Sequence, residues 1–379
     1  MDGEPLPGQP QQGELENILA LTNRDVAEVT HAVRDHADAI FTWHYEKGFR
    51  PKLALLYEQA KGAMWNAETD LAWDTPVDQE QVVRANAAQF GGLSAGLTGS
   101  RVDLTDTPFE SWTEKEWLQF EIESQNWTLS QFLHGEQGAL LCTAKIVESV
   151  PWADAKFYAA TQVMDEARHM EVFAKYLDTK LSGHYPINAH LKALLDDIIS
   201  DSRWDMTYLG MQIMVEGLAL AAFGFIRQLT TEPLLKQLLR YVMADEARHV
   251  AFGVLSLKEH YQQLSTKELR ERQEFAYEAA IRMRDRFLHQ EVFERLGVPV
   301  NEAVEMVLRS PLRPTFQAML FSKIVPNCKR LGLLDASGGW LRERFTDLGV
   351  IGFEDWPESD EADASLTFGS AGPARPVEA

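Results

Sequence analysis

Cysteine is nearly missing from this chain of 379 residues: there are two, Cys142 and Cys328, both in stretches that read as helix. Two distant thiols cannot make a disulfide framework or a cysteine zinc site, and the length by itself excludes a small stapled scaffold. Positive charge is also scarce. The formal net charge of −21 makes general attraction to nucleic acid or to an anionic membrane unfavourable. No glycine-rich phosphate-binding loop and no run of alternating apolar residues appears, so neither a nucleotide fold nor a sheet is expected. The first residues, Met1-Asp2-Gly3-Glu4-Pro5, lack the basic and apolar regions of a secretory leader. A reducing, cytoplasmic location follows as an expectation, with neither nucleic acid nor membrane as partner.

What the chain does contain is one pentapeptide twice. Asp165-Glu166-Ala167-Arg168-His169 returns 80 positions later as Asp245-Glu246-Ala247-Arg248-His249. Within each copy a glutamate and a histidine stand three residues apart, which on a helix puts both on one face, able to share a metal ion. Each copy also has a glutamate 30 positions upstream, Glu136 before Glu166 and Glu216 before Glu246. Matching of four elements in two copies is hard to explain by ordinary helix-surface charge pairs.

The spacing of apolar residues puts these glutamates in a core. Glu136 shares its stripe with Leu129, Phe132, Leu133, Ala139, Leu140 and Thr143, and Glu216 shares one with Leu209, Ile213, Leu220 and Phe223. A buried carboxylate must be neutralised, paired or bound to a cation. Glu136, Glu166, His169, Glu216, Glu246 and His249 together offer four negative charges and two neutral imidazoles, which two divalent ions balance. Oxygen donors with one imidazole per ion suit iron or manganese better than structural zinc. Asp165 and Asp245 are placed to accept hydrogen bonds from the histidines' other nitrogens, with Arg168 and Arg248 pairing with the aspartates. The remaining histidines, including His134 two residues from Glu136, read as structural or solvated.

Chain-breaking residues predict the layout. A lead-in spans 1–13, a helical region 14–112, a metal-binding bundle 113–264, further helices 265–354 and an acidic tail 355–379. The bundle divides into helices over 113–150, 152–181, 188–230 and 233–264, joined by loops short enough for antiparallel neighbours. Ser111-Trp112-Thr113-Glu114 has the spacing of a capping box, as has Ser265-Thr266-Lys267-Glu268, which opens a helix expected to reach Leu296. Another helix is expected from Asn301, broken near Pro311 and Pro314. Leu97 to Ser100 reads as a loop. In the N-terminal region Phe41, Trp43, Tyr45, Trp65 and Trp73 read as core aromatics. Leu209 to Ile226 is apolar enough to suggest a membrane span, but Glu216 at its centre makes a buried bundle helix the better reading.

On these residues the chain resembles the ferritin-like di-iron carboxylate superfamily, over roughly residues 113–264, with the six putting forward its ligand set position by position. The resemblance implies an all-α, ferritin-like four-helix bundle with flanking helices. It also implies an oxidoreductase, a monooxygenase or oxidase, that activates O2 at two iron ions, or at a manganese–iron pair, and acts on an organic, largely apolar substrate. Alternatives within the superfamily are an iron-handling ferroxidase or storage protein and an acyl desaturase; metal that merely holds the bundle together is a third reading. An external reductase or ferredoxin would supply electrons, and a homodimer is an expected assembly. Phe132, Ala139, Phe173, Ile213 and Leu220, each near a ligand, are candidate pocket walls. Three departures from branch patterns stand out. Phe173 stands where reductase small subunits carry a radical tyrosine, Ala219 and Leu220 where multicomponent monooxygenases and desaturases carry a threonine, and Val242 where arylamine N-oxygenases have an extra histidine.

Overall fold

The computed structural model describes residues 12–23, 26–27, 29–89, 92, 104–310 and 313–355. Its elements are helical, and the described residues contain no strand. Three helices lead in: α1 (Gln12–Ala20), α2 (Pro51–Gly62) and α3 (Gln79–Ala88). The bundle consists of α4 (Glu114–Ser149), α5 (Ala153–Lys180), α7 (Trp204–Leu229) and α8 (Pro233–Tyr261), with the short α6 (Ala189–Ser200) between α5 and α7. Helix α4 lies against α5 and α7, and α8 closes the square against the same two. Behind it stand α9 (Thr266–Asp285), α10 (Gln290–Arg295), α11 (Val300–Arg309), α12 (Arg313–Phe321), α13 (Ile324–Arg330) and α14 (Ala336–Asp347).

Local chemistry explains where the bundle helices start. Thr113 caps α4 in a capping box with Glu116, two residues beyond the box expected from Ser111 and Glu114. The box at Ser265 and Glu268 forms as expected. At α8 a buried Glu232 accepts from the backbone N–H groups of Leu234 and Leu235, both at 2.6 Å, and Pro233 occupies the first turn, where its missing N–H costs nothing. Between α4 and α5 only Val150, Pro151 and Trp152 intervene, so the two run antiparallel.

Two expected helices are interrupted. The segment 188–230 splits at Asp201 to Arg203, without glycine or proline, because Lys145 of α4 reaches in from the core and donates to the carbonyls of Ile199 (2.7 Å) and Asp201. That buried ammonium satisfies the end of α6. Arg203 folds back on the Asp201 carboxylate, with contacts of 2.7 to 3.0 Å, and α7 begins after it. The helix expected to reach Leu296 ends at Asp285; His289 adopts a left-handed conformation (φ 53°), and the turn buries Phe287 and Leu288 before α10 starts.

Within α7, Leu209–Val215 is π-helical, and the Glu216 N–H bonds to Met211 O, five residues back. Gly210 belongs to this stretch, and a Cβ there would lie 2.5 Å from Ile198, so its small size lets α6 and α7 touch. This helix, the one among the described residues long and apolar enough to cross a membrane, has 78% of its apolar window buried within the fold.

The N-terminal region differs most from expectation. Residues 30–46 form no regular structure, and Phe41, Trp43 and Tyr45 are 78%, 74% and 67% exposed rather than in the core. Polar contacts hold this arm to the surface: Ile40 N–H donates to Glu148 O at 2.9 Å, His31 pairs with Asp196 at 3.0 Å, and Asp154 accepts from the N–H groups of Gly48 and Arg50. Trp65 is buried and Trp73 half-buried, as expected. The lead-in up to residue 11, the loop at Leu97 to Ser100, Pro311 and the tail after Asp355 lie outside the described residues.

Replacing Glu232 by alanine removes the α8 cap and leaves the buried Tyr176 hydroxyl, which donates to Glu232 at 2.8 Å, without an acceptor. The expected loss is about 2 to 4 kcal/mol in urea unfolding. An unchanged midpoint would show that this cap contributes nothing.

Candidate metal centre

The six sequence-predicted ligands come together at mid-bundle, all at most 5% exposed. Glu136 comes from α4, Glu166 and His169 from α5, Glu216 from α7, and Glu246 and His249 from α8. Ligand atoms of Glu136, Glu166, His169 and Glu246 lie within 4.8 Å of one another, as do those of Glu166, Glu216 and His249. Glu166 belongs to both groups. The two groups, each able to hold a cation, therefore share one carboxylate.

The histidines define the two positions. His169 Nδ1 faces three carboxylates, Glu136 Oε2 at 3.1 Å, Glu246 Oε1 at 3.2 Å and Glu166 Oε2 at 3.3 Å. His249 Nδ1 faces Glu166 Oε1 at 3.1 Å and Glu246 Oε2 at 3.7 Å. On the far side of each ring the aspartates act crosswise: His169 Nε2 meets Asp245 Oδ2 at 3.2 Å, and His249 Nε2 meets Asp165 Oδ2 at 3.3 Å. Each repeat thus braces the histidine of the other. Arg168 bridges Asp165 and Asp245, and Arg248 pairs with Asp245. An aspartate accepting from Nε2–H fixes the tautomer that leaves the Nδ1 lone pair free for a cation when one is bound.

Two neighbours carry no signal in the repeat. Trp65, from the N-terminal region, donates its indole N–H to Asp245 Oδ2 at 2.8 Å, and its ring lies under the Arg168 guanidinium. Nothing local connects residues 180 positions apart, so this contact was not legible. Gln162, wholly buried one turn before Glu166, donates to Glu166 Oε1 at 3.0 Å and Glu216 Oε1 at 2.8 Å. Its i−4 spacing from Glu166 is the signal that could have found it.

Electrostatics show what the donor set lacks. The four glutamates carry −4, while the two aspartates and two arginines cancel. Burial raises the Glu136 carboxyl to about 8, and burial with the Glu246 and Glu166 charges raises Glu216 well above the usual range. Burial would lower both imidazoles, but the carboxylates around them outweigh it and shift His169 and His249 well upward. Glu166 Oε2, Glu216 Oε2, Glu246 Oε2 and His249 Nδ1 are buried without a hydrogen-bond partner. Protons here stand in for cations: a donor set that must protonate to be buried, and still leaves orphaned acceptors, fits two divalent ions.

The pocket candidates Phe132, Ala139, Phe173, Ile213 and Leu220 are all buried. Phe132 and Phe173 pack with Phe223, with centroids 4.7 to 6.1 Å apart. His134 is turned away, bonded to Tyr185 O at 2.9 Å. Cys142 and Cys328 are buried free thiols.

The family model "P-aminobenzoate N-oxygenase AurF" matches residues 141–332, half of the chain. The chain belongs to the AurF family. It is therefore an enzyme of a di-iron oxygenase family, with a dimetal carboxylate site in an all-α fold. The AurF match runs past the bundle and through α13, further than the superfamily resemblance at 113–264, and starts at Leu141, leaving Glu136 outside it. The departure at Val242 does not remove the chain from the AurF family, although a wholly buried valine does stand at that position. Among solved structures, an R2-like ligand-binding oxidase with aerobically reconstituted Mn/Fe cofactor (long soak) is 17% identical, with a TM-score of 0.46 over 75% of this chain and 93% of that one. Another, with the metal cofactor after photoconversion, is 16% identical, with a TM-score of 0.46 over 75% and 94%. A search of curated proteins finds no match.

The raised carboxyls give the metal-free AurF-family chain a definite pH response. Glu136 and Glu216, with folded values above the unfolded ones, add stability that is complete below the unfolded range and lost as pH rises through the folded value, about 8 for Glu136. His169 and His249 act in the same direction. Chelated protein should melt lower at pH 8 than at pH 6, by on the order of 5 °C, and metal should remove the difference. Equal melting temperatures at the two pH values in the chelated form would contradict this charge balance.

Proposed function

We propose that Glu136, Glu166, His169, Glu216, Glu246 and His249 hold two iron ions, and that the protein uses O2 to oxygenate the nitrogen of an organic amine. The observation that carries this reading is the buried, proton-balanced donor set with its orphaned oxygens, in a chain of the AurF family. When bound, the iron pair supplies the redox chemistry of O2 reduction.

The chain's own residues do the rest. Four carboxylates cancel the charge of two divalent ions, so the loaded centre can stay in an apolar core. Asp165 and Asp245 keep each imidazole's Nδ1 lone pair directed inward. Phe132, Ala139, Phe173, Ile213 and Leu220, all buried, are the proposed apolar walls of the substrate site. Transfer of one oxygen atom to a nitrogen, with the second leaving as water, needs two electrons beyond those of the substrate, and an external reductase or ferredoxin is the proposed donor.

Anaerobic reconstitution with Fe(II) should give two ions per chain. Exposure to isotope-labelled O2 with an amine substrate should then place the label in the product. Glu136→Ala combined with Glu216→Ala should abolish loading of the pair while leaving the helical circular dichroism largely intact, because apolar burial and not metal supplies most of the fold's stability. Full metal retention in that double variant would overturn the ligand assignment.

A further inference from the structure

The internal repeat makes the two halves of the centre comparable position by position, and one position breaks the symmetry. One turn before Glu166 stands Gln162; one turn before Glu246 stands Val242. Both are wholly buried. Only the first is polar, and its amide touches Glu166 Oε1 and Glu216 Oε1. The upstream glutamates are consequently held by different means. Glu136 is met by His169 Nδ1 at 3.1 Å, whereas among the described residues Gln162 is the one hydrogen-bond donor to Glu216. Toward ionised carboxylates the amide presents its NH2 side, since turning its oxygen inward would set three acceptors against one another. Glu166 Oε1, the second atom it holds, is also the oxygen that faces His249 Nδ1. All the contacts of Gln162 therefore fall on the Glu166, Glu216 and His249 side.

We propose that Gln162 is the positioning residue of the Glu216 and His249 metal site, fixing both carboxylate oxygens on that side, and that the two ions are held unequally because Val242 gives the other site no equivalent. This rests on the six-ligand reading above. Outer hydrogen-bond partners of metal ligands are worth roughly 10- to 100-fold in metal affinity. That loss should fall on one ion of the pair.

The test is a titration of the full chain with Mn(II) alone under anaerobic conditions, followed by stoichiometry and by electron paramagnetic resonance of the exchange-coupled Mn(II) pair. Wild type should bind two ions and show the coupled signal. Gln162→Met, close in size but without donors, should bind the first ion and weaken the second by roughly 10- to 100-fold, with the coupled signal replaced by that of an isolated ion at concentrations that saturate wild type. Should the methionine variant lack native circular dichroism, Gln162→Asn keeps an amide too short to span both carboxylates and should show the same selective loss. Val242→Ala serves as the packing control and should keep both ions. A second ion bound by the folded Gln162 variant with wild-type affinity overturns the proposal alone, and so does an equal loss in Val242→Ala. A wild type that never takes a second ion overturns the ligand assignment and the proposal with it.

Discussion

Burying four glutamates at the centre of an apolar bundle is the constraint on which the rest of this structure depends. Glu136, Glu166, Glu216 and Glu246 are each at most 5% exposed, in a core made largely of aliphatic and aromatic side chains. Coulomb repulsion among them and the loss of hydration both oppose ionisation. The fold answers with two imidazoles drawn upward in pKa, with aspartates that hold those imidazoles from behind, and with arginines that hold the aspartates. Membership of the AurF family and the chemistry of the donor set point to the same conclusion, a centre built to be completed by cations.

How much of this was legible in the sequence depends on whether the interaction was local. The convergence of the candidate donors was, because each pair repeats at a fixed helical spacing and an apolar stripe marks the buried face. Helix starts with proline or a capping box were legible too, to within two residues at Thr113. The break at Asp201 to Arg203 was not. It depends on Lys145, more than 50 positions away, and no glycine or proline marks it. Trp65 against Asp245 is illegible for the same reason. The exposed aromatics at Phe41, Trp43 and Tyr45 show the opposite error, in which composition suggested a core and tertiary contacts put the arm outside.

Gln162 lies between these cases. Its spacing from Glu166 was visible, but a lone glutamine in a helix is usually a surface residue, and only the position of Glu216 on a neighbouring helix gives it a role. The crosswise bracing is similar. The sequence predicts that aspartates serve histidines, and packing decides that each serves the one on the opposite helix.

The π-helical stretch before Glu216 has a consequence for phase. Surplus backbone wound into Leu209–Val215 means that residues before and after it no longer share one regular stripe, so α7 presents apolar side chains on nearly every side. Its resemblance to a membrane span comes from length and apolar composition, and 78% of that window is buried in the fold. The same surplus aims the glutamate. Deleting one residue from the stretch would let it close to ordinary α-helix, with the spacing between the apolar residues before it and Glu216 shortened by one position.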